Sequence, residues 1–174
     1  LMGINVIKLR KNLSKFLLSK NKNFLRDSTT KLAYFLKKNH FNNLVFLNYA
    51  PELENFLYWY QQLIAESLGK KGIGFLPVVS NVPTDHHSLL QLYLDGPKNK
   101  LFYIFNVEKN SKEKINLKFL SQKNSFLNKK SLTNIKNAQK DALIKTLIKN
   151  KLPFREFNIK HFNETKLGEL FSYF

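Results

Sequence analysis

Three side chains between Trp59 and Asn106 could move protons: the carboxylate of Glu66 and the adjacent imidazoles of His86 and His87. Glu66 closes an apolar helical pattern and is followed by Ser67, Leu68, Gly69 and the pair Lys70 and Lys71. In the last turn of a helix the macrodipole prefers cations, so a carboxylate there is pushed toward holding a proton, as a base must. Lys70 and Lys71 act in the opposite sense, and the balance at Glu66 stays open. His87 is expected in the first turn of the next helix. The positive helix end disfavours imidazolium and leaves a neutral ring that can pass a proton either way near pH 7. A carboxylate with a neutral histidine suits proton abstraction beside a carbonyl.

Plainer readings exist for the same residues. Adjacent histidines behind a capping residue also serve as turn and surface residues. A metal site is short of ligands, because Cys is absent, no H-E-x-x-H pattern occurs, and Asp85 with one histidine is an incomplete set. The run Gly69-Lys-Lys-Gly-Ile-Gly74 has the spacing of neither a phosphate-binding loop nor a dinucleotide fingerprint. Its glycines suit a helix stop, with Gly69 left-handed, and a close loop.

The elements that must position these groups can be read on either side of them. Leu9, Leu13, Phe16 and Leu17 recur at helical spacing within 8–19, and Leu32, Phe35 and Leu36 do so in a helix starting near Asp27 or Ser28. His40, just beyond, has no catalytic context. The run 44–49 reads as a strand buried on both faces. Pro51 suits the first turn of a helix carrying Leu53, Phe56, Leu57, Tyr60, Leu63 and Ile64. A strand over 74–79 follows, with Pro77 pushing it toward an edge or an end. Then comes a loop over 81–88, with Thr84 or Asp85 capping a helix that stops at Asp95-Gly96-Pro97. Residues 101–105 form the clearest buried strand. The Lys- and Asn-rich stretch 109–130 reads as a long, weakly structured excursion. An amphipathic helix over 131–150, a strand over 154–159 and a last helix capped by Asn163 complete the chain. Alternating strands and helices predict an α/β fold: a three-layer sandwich with a mainly parallel sheet flanked by helices.

Composition bounds the partners. The formal net charge is +17, which invites nucleic acid. Only three of the 29 basic residues are Arg, however, and no nucleic-acid recognition motif is present. The lysines are spread along every segment, as on a solvated surface, so no specific nucleic-acid partner is expected. The lack of Cys suits a cytoplasmic setting, and no apolar run is long enough to span a membrane. The uncapped apolar start and the helical pattern running to Phe174 read as a piece of a longer protein.

The segment Gln62-Leu-Ile-Ala-Glu-Ser-Leu-Gly-Lys70, followed by Pro77, Thr84-Asp-His-His-Ser-Leu-Leu-Gln-Leu92 and Asp95-Gly-Pro97, resembles the phosphoglucose isomerase family. That family shows a glutamine-rich helix ending in E-S-x-G-K, then D-Q-H-S or G-Q-H-A and Q-L. Similarity extends outward to 49–59 and to Leu167-Gly-Glu-Leu170. Residues 1–174 can be laid on the family's second sugar-isomerase (SIS) domain, as a fragment of a longer two-SIS-domain enzyme. The resemblance implies interconversion of glucose 6-phosphate and fructose 6-phosphate through a cis-enediolate, in glycolysis and gluconeogenesis, without metal or cofactor. It makes Glu66 the base that moves a proton between C2 and C1. It makes His87 the histidine that assists ring opening, reaching the neighbouring subunit's site in a homodimer. Gln62, Lys70 and His86 are the expected substrate-binding residues. His86 stands where the family usually has Gln, and the family's phosphate-binding Ser/Thr loops and C-terminal Lys fall outside this sequence. A phosphosugar-sensing SIS module is the alternative, which Glu66 disfavours because a sensor needs no C2 base. A basic nucleic-acid-binding domain ranks behind it.

Overall fold

The computed structural model describes residues 3–16, 22–37, 41–108, 114–116 and 126–174. Four strands form one sheet in the order β2-β1-β3-β4: β1 (Asn43–Asn48), β2 (Leu76–Asn81), β3 (Lys100–Val107) and β4 (Phe154–Ile159). Every adjacent pair is parallel. Parallel neighbours require crossovers, and three helices supply them: α3 (Glu54–Leu68), α4 (Thr84–Asp95) and α5 (Leu132–Lys149). Before the sheet lie α1 (Val6–Arg10) and α2 (Lys22–Lys37), and after it α6 (Glu164–Tyr173).

The central strands are apolar on both pleats because helices cover both faces. Leu44, Phe46, Tyr103 and Phe105 point to one side, where Phe56, Leu57, Tyr60 and Ile64 of α3 and Leu170 of α6 meet them. Val45, Leu47, Phe102 and Ile104 point to the other, against Tyr93 of α4 and Leu143 and Leu147 of α5. The three-layer α/β sandwich expected from the alternation of elements is the observed one. Aromatic rings dominate the α3 side. Phe46 stacks on Tyr60 at 5.1 Å between centroids, and Phe105 stacks on Phe157 at 4.8 Å.

Several boundaries differ from those expected, each for a local reason. The first helix is shorter and earlier than 8–19, because Asn5 caps it by accepting from Lys8 N at 3.0 Å. Leu17 and His40 lie outside the described residues, as does most of 109–130. The second helix begins at Lys22, so Asp27 and Ser28 are interior and Ser28 turns its hydroxyl to Tyr173. Strand β2 runs to Asn81, two residues beyond its expected end. Thr84 and Asp85 do not cap α4, whose N-cap position is Pro83. Gly69 is not left-handed (φ −77°). The turn after α3 puts its positive φ angles at Lys71 (55°) and Gly72 (73°) instead. The helix over 132–149 and the last helix start as read. Ser131 accepts from Asn134 N and Asn163 accepts from Lys166 N.

Candidate active site

Glu66 sits in the last turn of α3 because the helix is fixed by its other face. Phe56, Leu57, Tyr60 and Ile64 are buried, which turns Gln62 and Glu66 outward. Gln61 Nε2 donates to Pro77 O at 2.8 Å, tying the middle of the helix to β2. One turn separates Gln62 from Glu66, and Gln62 Nε2 donates to Glu66 Oε1 at 2.9 Å. That bond holds one carboxylate oxygen and leaves the other without a partner among the described residues. Lys70 follows in a tight turn closed by Lys70 N to Ile73 O (3.1 Å) and Ile73 N to Lys70 O (3.0 Å). Its side chain is exposed, and it forms no ion pair with Glu66.

His86 and His87 lie in the first turn of α4. A clasp of polar side chains holds that turn at the carboxyl ends of the strands. Asp85 Oδ2 accepts from Asn81 N at 2.7 Å. Asn81 Nδ2 donates to Glu54 Oε1 at 2.7 Å, and Asn48 Nδ2 donates to Asn81 Oδ1 at 3.1 Å. Asn48 in turn accepts from Ala50 N at 3.0 Å. The ends of β1 and β2 and the starts of α3 and α4 are thus bonded into one unit.

The two imidazoles are treated differently by the fold. His86 is half-buried, its Nε2 3.4 Å from the Tyr49 hydroxyl and its ring edge-on to the tyrosine at 5.8 Å. Burial pulls its proton affinity below the ordinary value of 6.5, against a weaker pull from Asp85. Burial, with Asp141 adding to it, pushes the Tyr49 phenol up, so that hydroxyl keeps its proton and can donate to the neutral ring. His87 is exposed, with both ring nitrogens free of partners among the described residues. Of the pair, it is the histidine available to a ligand.

The chain does not bring Glu66 and His87 together. Helix α3 leaves the carboxyl end of β1 and delivers the chain to the start of β2, where Leu76 N bonds Asn42 O at 2.7 Å. Glu54 is bonded to the clasp beside α4, and Glu66 lies twelve residues further along the helix, about 18 Å at 1.5 Å per residue. Gln62, Glu66 and Lys70 therefore group at the amino ends of the strands, and His86 and His87 at the carboxyl ends. Among the described residues no group of three His, Asp or Glu side chains is arranged to hold a metal.

Sequence reasoning missed Glu54, Asn48 and Asn81. The available signal was one asparagine near the end of each apolar strand: Asn48, Asn81, Asn106 and Asn158. A polar amide interrupting a buried strand needs partners. Asn106 Nδ2 donates to Asn158 Oδ1 at 3.1 Å, the counterpart of the Asn48–Asn81 bond across the sheet.

No family model matches the chain. Over 149 residues it is 36% identical to the glucose-6-phosphate isomerase of Campylobacter jejuni, a match covering 81% of this chain and 36% of that protein. The isomerase of the same name from Methanocaldococcus jannaschii is 35% identical over 126 residues, covering 72% and 31%. That of Mycoplasmopsis synoviae is 32% identical over 145 residues, covering 81% and 34%. A crystal structure of a hypothetical protein from Thermus thermophilus superposes with a TM-score of 0.79. That match covers 98% of this chain and 43% of the other at 23% identity, a likeness of fold alone. The chain spans about a third of the length of the curated relatives it matches. Over most of its own length, this chain is related to the glucose-6-phosphate isomerases.

Proposed function

We propose that the chain is a single SIS-type domain, the second of a two-SIS-domain glucose-6-phosphate isomerase, acting on hexose phosphates. Glu66 is the base. It takes the proton from C2 of the open-chain aldose and returns it to C1 through a cis-enediolate, with no metal or organic cofactor required. Gln62 holds one oxygen of that carboxylate, so the other faces the substrate. Lys70 and His86 are the remaining candidate substrate contacts, His86 being the less accessible of the two.

The observation that carries this reading is the placement of Glu66, exposed at the end of a rigidly packed helix and oriented by Gln62 at 2.9 Å. The separation of Glu66 from His87 supports a homodimer in which His87 serves the neighbouring subunit's site. A histidine at the far end of the strands reaches another copy more readily than its own chain's carboxylate.

The test is Glu66→Gln in the longer protein, since amide and carboxylate are nearly isosteric. Loss of a general base lowers turnover by about 10²–10⁴-fold. Circular dichroism should be unchanged and substrate affinity largely kept. Near-normal turnover in the folded variant overturns the assignment of Glu66 as the base, whereas hexose phosphate binding without turnover by the longer parent favours a phosphosugar-binding module.

A further inference from the structure

A groove of ≈ 970 Å³ runs along β4, between α2 and α6. None of the candidate active-site residues lines it, and β4 is the sheet edge opposite β2. Its apolar wall is aromatic, with Phe16, Phe24, Phe157 and Tyr173 among the lining residues. Set among them is Arg155. Its Nη1 donates to the Tyr173 hydroxyl at 2.8 Å and to Ser28 Oγ, and its guanidinium stands 5.3 Å over the Tyr103 ring. All three partners are neutral, and only one of its nitrogens is engaged among the described residues.

The carboxylates of the groove leave this cation unmatched. Glu156 is taken by Lys140 at 2.6 Å, and Glu169 by Lys166 at 2.8 Å and Lys15 at 2.9 Å. Of the charged residues lining the groove, those without an ion pair among the described residues are Lys31, Arg155 and Lys160 against Asp27. A concave site of this volume, with an aromatic wall beside a rim of polar and charged residues, can hold a small molecule that has both an apolar and an anionic part. The planar guanidinium fork matches a carboxylate or phosphate edge, and a partly desolvated one gains most from such a partner.

We propose that this groove binds a small amphipathic anion: a flat apolar body carrying a single phosphate or carboxylate group. Arg155 holds the anionic group, and Phe24, Phe157 and Tyr173 flank the body. A bare sugar phosphate is a poor match, because its hydroxyls would face aromatic walls. The site is separate from the isomerase chemistry proposed above and stands or falls without it.

Calorimetric titration of the chain tests this with four probes. Phenyl phosphate and benzoate carry both features, while inorganic phosphate and phenol carry one each. Saturable one-to-one binding of phenyl phosphate or benzoate is expected, at least about tenfold tighter than either single-feature probe, and the better of the two identifies the anionic group. Arg155→Lys keeps the charge and removes the fork, so it should weaken that binding about tenfold or more with an unchanged circular dichroism spectrum. Arg155 also packs on Tyr103, so a second variant guards against misfolding. Phe24 is 59% exposed, and Phe24→Ser should leave the fold intact. It should weaken the aromatic anion while leaving inorganic phosphate unaffected. No saturable binding of either aromatic anion at millimolar concentration, or undiminished affinity in the folded variants, overturns the proposal.

Discussion

His86 is half-buried beside an exposed His87, and its burial gives a handle on His86 alone. In the unfolded chain the His86 ring takes up its proton near 6.5. In the folded chain burial moves that uptake to lower pH, with Asp85 only partly opposing. Between the two values the unfolded chain binds more protons, so this residue's contribution to stability falls as the pH drops below about 6.5 and levels off beneath the folded value. His86→Gln, which restores the residue usual in the isomerases it resembles, should flatten that part of the pH dependence. Urea midpoints of the parent and the variant at pH 7.5 and pH 5.5 measure it, and an equal acid loss in both would show that His86 is not the group responsible. By resemblance the two rings take different roles, but the sequence does not say which of them is buried. The buried ring packs against Tyr49, which is adjacent to neither histidine in the chain and reaches His86 only because β1 and α4 are clasped at the carboxyl ends of the strands.

At the scale of elements, the parts legible in the sequence are those whose apolar pattern is continuous. The helix through Phe56, Leu57, Tyr60 and Ile64 and the strand 101–105 declare themselves because each buries a regular face. The amino-terminal helices are harder to delimit, since little of them is buried and their boundaries depend on contacts with α6. Gly168 is the clearest of these contacts. A Cβ built there would run into the carbonyl oxygen of Leu9, so α1 crosses α6 at a point only glycine permits. The motif Leu167-Gly-Glu-Leu170, read from the sequence as part of a family block, thereby acquires a packing reason. Gly168→Ala should push α1 off α6 and cost about 1–3 kcal/mol, the usual range for overpacking against backbone. Any gain in helix propensity is no more than about 1 kcal/mol and should not offset it. Equilibrium unfolding reads the loss, and a variant as stable as the parent would show that α1 is not held there.

At the scale of the whole molecule, the proposed reaction needs more than this chain supplies. Binding energy from a remote phosphate normally holds the reacting carbons of a sugar phosphate against the base. The resemblance places the residues that grip that phosphate, and a further lysine, outside these 174 residues, and the matches cover only about a third of the relatives' length. Within the chain, Glu66 and His87 stand at opposite ends of the strands, so even two copies would bring together only a base and an imidazole. Correct orientation of reacting groups lowers a barrier by roughly 7–11 kcal/mol, and its loss leaves little rate to observe. The formal charge of +17 attracts a sugar phosphate dianion, but diffuse attraction yields encounters without alignment. The purified 174-residue chain should therefore read at background in a coupled assay for fructose 6-phosphate formation. Activity should return only in a longer protein that carries the flanking sequence. Clear turnover by the chain alone, abolished by Glu66→Gln so that a contaminating isomerase is excluded, would mean that Glu66 works without the phosphate grip.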